Sequence, residues 1–216
     1  MRDQLQVAVL VENHPYDVME FQQMLDSFSD CKCYVQPVDL FVQDDNRKKY
    51  HTVLWYNINW DPPKEDGVLR KYLENEIGES DQGIVLIHHA LLNFQNWDPY
   101  TKICGLKERG ANVGFKYTQN ENVISHILET SHPITLGLSD FAITDETYQI
   151  GEPEEPGNTI LISTDNKTSM HCLAWTRQYK SSRVFSYASG HDGKVYKDEN
   201  YRKILNRALS WTAGRI

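Results

Sequence analysis

The run Gly83-Ile84-Val85-Leu86-Ile87 constrains this chain more than any other stretch. Five consecutive residues without a polar side chain suit a strand buried on both faces. Such strands belong to parallel sheets covered by helices. The run leads straight into His88-His89, and a second apolar run, Arg183 to Tyr187, passes through Ala188-Ser189-Gly190 into His191-Asp192. In an open α/β sheet, ligands bind in the crevice beyond the carboxyl ends of the strands. Imidazole at two such ends therefore marks the candidate chemical site. Adjacent residues of a regular strand point to opposite faces. Only one of His88 and His89 is expected in a given crevice, unless the chain leaves strand geometry there.

The rest of the pattern supports alternation of strand and helix. Leu5–Val11 reads as a first strand. After the turn 12–16, Asp17 can cap a helix to Phe28, with Val18, Phe21, Met24, Leu25 and Phe28 at helical spacing. Cys33–Val38 and Thr52–Ile58 read as strands. Lys64–Ile77 reads as an amphipathic helix stopped by Gly78. Beyond Gly83–Ile87 the pattern changes. Trp97–Cys104 is a short helix. Ala111–Tyr117, Asn122–Leu128, Phe141–Tyr148, Thr159–Ser163, His171–Trp175 and Arg183–Tyr187 are strand-like, and Asp198–Trp211 closes the chain as a helix. The acidic, Pro/Gly-rich segment 151–157 is a surface turn, and residues 1–216 form one domain.

Composition narrows the function classes. The formal charge of −8, from 30 acidic and 22 basic side chains, disfavours nucleic acid and anionic membrane, both of which need a positive surface. No stretch reaches the roughly 18–20 apolar residues that span a bilayer, and the N-terminus lacks a long apolar run. Cys31, Cys33, Cys104 and Cys172 form no CxxC pair and read as free thiols. A cytoplasmic protein is expected.

Three further groups carry possible chemistry. Glycines on both sides of His191-Asp192 permit a tight turn and close approach of backbone to a ligand. The pair Asp145-Glu146 lies inside an apolar strand-like run, and a buried carboxylate there needs a partner. His14 stands in the first βα turn, which points into the same crevice. His132-Pro133 reads as a structural turn and His51 and His126 as ordinary residues, while the role of His171 stays open. No GxGxxG, GxxxxGK[ST], HExxH, GxSxG or EF-hand loop is present.

Several segments in series resemble the trehalose-utilisation (ThuA-like) family of the class I glutamine amidotransferase-like superfamily. They are Gly83 to Ala90, Trp97-Asp98-Pro99-Tyr100 through Gly105, His132 to Leu138, Phe141 to Tyr148, Ala174-Trp175-Thr176-Arg177, Ser182 to Phe185, Gly190-His191-Asp192, and Trp211 to Gly214. The resemblance implies a flavodoxin-like, three-layer, mostly parallel sheet with an added antiparallel portion in the C-terminal half. It also implies a link to sugar metabolism. His88 stands where true amidotransferases carry a nucleophilic cysteine, which argues against glutamine hydrolysis, since imidazole cannot replace an attacking thiolate in that scheme.

Two readings follow. In the first, a sugar or polyol occupies a pocket at the strand ends. His88, His191 and Glu146 transfer protons, His89 and Asp145 hold a divalent metal such as zinc, and Trp97, Tyr148, Trp175 and Asp192 contact the substrate. In the second, the fold is a non-catalytic scaffold that forms a homo-oligomer or binds a partner through exposed Trp55, Trp60 or Trp97.

Overall fold

A computed structural model describes residues 3–110 and 114–216. The chain runs β1 (Leu5–Leu10), α1 (Val18–Asp26), β2 (Cys31–Gln36), α2 (Val38–Gln43) and β3 (Thr52–Trp55), then α3 (Val68–Asn75) and β4 (Gly83–Ile87). After a 3-10 turn at His88–Leu92 come α4 (Asp98–Cys104), β5 (Lys116–Ile127), β6 (Phe141–Gln149), β7 (Thr159–Ser163), β8 (Cys172–Tyr179) and β9 (Ser182–Tyr187). Two helices, α5 (Gly193–Tyr196) and α6 (Glu199–Thr212), close it.

The nine strands form one sheet in the order β2-β1-β3-β4-β9-β8-β7-β5-β6. The first five are mutually parallel, and each later neighbour pairs antiparallel. The parallel part therefore has the 2-1-3-4-5 order of flavodoxin-like sheets, whose ligand crevice opens where β1 meets β3. All five residues of β4 are buried, as an apolar strand at the sheet centre requires. Ile87 of β4 lies opposite Tyr187 of β9, so the two histidine-bearing strand ends are neighbours. One apolar cluster extends from Leu5 to Leu209. Among the described residues, no helix is long and apolar enough to cross a membrane.

Local chemistry explains where the boundaries fall. Asp198 caps α6 by accepting the Tyr201 amide at 2.9 Å, and α6 buries Tyr201, Ile204, Leu205, Ala208 and Leu209. Asp17 precedes α1 but makes no side-chain cap there. Its carboxylate instead accepts the Gly193 amide at 2.7 Å, which ties the first βα loop to the turn that carries His191. Helix α3 starts at Val68 rather than at residue 64, because Gly67 takes the extended N-cap position. The short α2 and the 3-10 turn Asp45–Lys49 occupy a stretch whose spacing favours neither period. The expected strands 111–117 and 122–128 merge into β5 as far as they are described; residues 111–113 lie outside the described residues. The polar segment between them is a bulge, with Asn120 at φ 60°.

Candidate functional site

Four of the five parallel strands, all but β2, deliver residues to one crevice from their C-terminal ends. Imidazoles arrive as His14 after β1, His89 after β4 and His191 after β9, with His88 fully buried directly behind them. Ile58 and Trp60 arrive after β3. The crevice holds a cavity of about 390 Å³, within the range of roughly 300–1,000 Å³ that suits small ligands. Strands β5 and β6 supply the opposite wall through Tyr117, Gln119, Glu146 and Tyr148, with Phe115 just ahead of β5. None of the four cysteines lines it.

His88 and His89 both lie at this crevice because the chain does leave strand geometry. His88 takes φ 47°, a left-handed conformation that non-glycine residues seldom adopt. The 3-10 turn begins there, and both side chains are buried. Gly190 makes room from the other side. At φ 129° a side chain would be strained, and a Cβ would collide with the Tyr201 hydroxyl and lie 3.7 Å from the His88 Cβ.

The hydrogen bonds fix the state of His88. Its Nδ1 donates to the Ala188 carbonyl at 2.7 Å. A carbonyl only accepts, so Nδ1 carries a proton and Nε2 is the nitrogen left for chemistry. Nε2 lies 2.7 Å from the Tyr148 hydroxyl and 3.5 Å from Glu146 Oε1. Burial holds the Tyr148 phenol well above its usual range, so it keeps its proton and donates to His88. The other oxygen of Glu146 lies 3.5 Å from His191 Nε2. Glu146 thus bridges two imidazoles. Burial works to raise its pKa, but the His88 and His191 rings beside it outweigh burial and hold the carboxyl below the usual range.

His89 is the unsatisfied member. Neither ring nitrogen has a hydrogen-bond partner among the described residues. Burial lowers its pKa far below the usual value, and His88, His14 and His191 add to the effect, so the ring is neutral. Its ring lies 3.6 Å from that of His14, 4.4 Å from His88 and 5.7 Å from His191, centroid to centroid. Burial also lowers the pKa of His14.

Asp145 does different work from its neighbour. Its two oxygens accept the amides of Gly190 at 2.9 Å, His191 at 3.1 Å and Glu146 at 2.8 Å. It therefore pins the His191 turn from below and stands outside the cluster of His88, His89, Glu146 and His191. Burial raises its pKa against the pull of His88 and those three amides. The His191 carbonyl is held as firmly, by the hydroxyls of Tyr56 at 2.9 Å and Tyr196 at 3.0 Å.

The structure thus gathers His88, His89, Glu146, His191 and Tyr148, and separates the other expected contacts from them. Trp97 packs against Phe94 and under the Arg70 guanidinium, away from the cavity. Trp175 is fully buried on β8 and donates its indole N–H to the Cys104 carbonyl at 2.8 Å. Asp192 caps α5 through the Lys194 amide and does not line the cavity. Of the three tryptophans expected to form an exposed patch, Trp55 and Trp97 are buried and only Trp60, 45% exposed, reaches the surface. Sequence reasoning missed Phe115 and Tyr117, and it assigned Trp60 to a partner-binding patch rather than to the aromatic rim these three form. Phe115 lies 5.8 Å from Trp60, 6.1 Å from Tyr117 and 5.5 Å from Tyr148. No local pattern marks these residues, because long-range strand pairing decides which aromatics face the crevice. His51, His132 and His171 each hold backbone partners away from the site.

This architecture, a flavodoxin-like parallel sheet extended by antiparallel strands with histidine at the elbow after β4, defines a protein of the glutamine amidotransferase-like fold without the nucleophilic thiol. The profile of the ThuA family, described as Trehalose utilisation, matches residues 12–212, and the chain belongs to that family. A putative ThuA-like protein from Parabacteroides merdae is 18% identical with a TM-score of 0.78, covering 99% of this chain and 92% of the other. A second, from Bacteroides uniformis, is 18% identical with a TM-score of 0.74, covering 97% and 91%. A putative GMP synthase protein from Thermoplasma acidophilum, 10% identical, superimposes with a TM-score of 0.61 over 99% and 96%. No curated protein matches the sequence.

Proposed function

We propose that this protein binds and transforms a sugar or polyol in the crevice above His88, His89, Glu146 and His191. One observation carries the reading: three imidazoles from two neighbouring strand ends and a carboxylate from within β6 converge beside a single cavity, which His89, Glu146 and His191 line. A hydroxyl-rich ligand fits such a cluster, because each hydroxyl can donate to one group and accept from another. The description of the family supports the carbohydrate class. The rim of Trp60, Phe115 and Tyr117 supports it too, since an aromatic face matches the apolar C–H face of a sugar ring.

Within this reading, Glu146 is the base. It is ionised, and it faces the cavity between two imidazoles. In the metal-free protein it takes a proton from a ligand hydroxyl, and His191 returns one as the acid. Tyr148 and the Ala188 carbonyl hold His88 in one tautomer and orientation.

The test is calorimetric titration of the protein with a panel of monosaccharides, disaccharides and polyols, repeated with Glu146→Gln and His191→Gln. Saturable binding to a carbohydrate, weakened at least tenfold in both variants, supports the reading. No binding by any member of the panel, or equal binding by both variants, removes it.

A further inference from the structure

We propose that the same cluster is a binding site for one divalent transition-metal ion of the zinc class, held by His88, His191 and Glu146 with His89 as the fourth donor. The proposal deepens the reading above and rests on that crevice being the working site. The four side chains each offer one ligand atom, and these atoms all lie within 4.8 Å of one another. Four donors at about 2.0–2.1 Å from a tetrahedral ion stand roughly 3.3–3.4 Å apart. His88 Nε2 lies 3.5 Å from Glu146 Oε1 and His191 Nε2 lies 3.5 Å from Glu146 Oε2, so whichever oxygen ligates, one of these pairs already has that value. The remaining pairs are no more than 4.8 Å apart.

Four independent features point the same way. His88 donates Nδ1–H to a main-chain carbonyl, the usual outer partner of a metal-bound imidazole, so the Nε2 lone pair faces the other donors. The His191 main chain is clamped at its amide by Asp145 and at its carbonyl by Tyr56 and Tyr196, which leaves the side chain aimed at Glu146. His89 is buried with both nitrogens unpartnered among the described residues, and leaving such a group without a partner is costly. An ion supplies the missing partner. Finally, no lysine or arginine is among the described residues lining the cavity, so no fixed cation there opposes the charge of an incoming one.

The donor set chooses the ion. Three imidazoles and one carboxylate suit zinc, cobalt, nickel, copper or iron, whereas magnesium and calcium take oxygen ligands. The cluster lies against the cavity, so a bound ion can take a water or a ligand hydroxyl as a further donor.

The experiment uses the full chain stripped with chelator and dialysed. Zinc is titrated by competition with a chromophoric chelator, and cobalt is followed by its visible d–d absorption. The expected result is one ion per chain, affinity lowered by at least about 10–100-fold in Glu146→Gln and in His191→Gln, and zinc preferred over magnesium. Both variants are checked for an unchanged far-UV spectrum. An ion bound equally by the wild type and both variants overturns the proposal, as does no stoichiometric binding or an equal preference for magnesium. Carbohydrate titrations run with and without zinc keep the two readings apart. Zinc binding without any carbohydrate binding sinks only the proposed function, and carbohydrate binding by a protein that takes up no zinc sinks only the ion site.

Discussion

His88 Nδ1 donates to the Ala188 carbonyl at 2.7 Å, across the junction where β4 and β9 end side by side. This bond joins two segments a hundred residues apart and decides which nitrogen of His88 faces Tyr148 and Glu146. The same residue holds a left-handed backbone at φ 47°. Asparagine tolerates that conformation, whereas a β-branched residue does not. His88→Asn is therefore expected to fold, with His88→Val less stable than His88→Asn by about 1–2 kcal/mol from backbone strain. Urea unfolding of the two variants checks the order, and a more stable valine variant contradicts it.

Asp145 accepts three amides, two of them from the turn that presents His191. Asp145→Asn keeps the shape but replaces one accepting oxygen with a donor facing main-chain amides. Losing a hydrogen bond to a charged group costs about 1.5–3 kcal/mol, which is the expected loss of stability. Ligand affinity is expected to fall as well, because the His191 main chain loosens. Equal stability and affinity in Asp145→Asn show that the carboxylate does not hold the turn.

Arg109 is fully buried without a carboxylate partner among the described residues, and its charge is spread over the carbonyls of Asn93, Phe94, Trp97, Leu106 and Lys107 and the Thr101 hydroxyl. It knots the segment that follows His89 to the C-terminal end of α4. Arg109→Met keeps much of the volume but abandons several carbonyls, each costing about 1–3 kcal/mol when left buried without a donor, so a loss above about 3 kcal/mol is expected. Thermal and urea unfolding read it directly. A loss below about 1 kcal/mol means that the carbonyls find other donors.

Away from the cavity, His126 on β5 lies 2.8 Å from Asp140, and their hydrogen bond raises the pKa of His126 and lowers that of Asp140. The signs define a window. The His126 contribution is complete below about pH 6.5 and disappears as pH rises through its elevated folded value. The Asp140 contribution is complete above about pH 4 and disappears as pH falls through its depressed folded value. The difference in Tm between wild type and Asp140→Asn is thus expected to be greatest near pH 5–6 and smaller at pH 9. A difference that grows toward pH 9 contradicts the pairing.

Much of this arrangement can be read from residue order, and the parts that cannot share a cause. Gly83–Ile87, the Asp198 cap and the helical spacing of α6 are local signals, and they appear in the structure where the residues place them. The convergence of His88 and His191 also follows from two strand ends alone. The division of labour between Asp145 and Glu146 is hidden, because which of two adjacent carboxylates faces the cavity depends on the register of β6 against β5 and on the Gly190 turn. His89 joins the site through one left-handed residue that sequence spacing does not reveal. The tryptophans mislead for the same reason. Trp97 and Trp175 have the right composition for a sugar platform, but tertiary packing turns both into the core. The aromatic rim comes from Trp60, which the sequence suggests only as an exposed residue, and from Phe115 and Tyr117, which nothing nearby in the sequence distinguishes.

The central claim is that His88, His89 and His191 act as one site. Histidine-selective 15N NMR during zinc addition tests it most directly. The expected result is simultaneous, saturable shifts of the ring nitrogens of these three residues at one equivalent, with His51, His132 and His171 unmoved. Shifts confined to histidines outside the cavity, or independent titration of the three, contradict it.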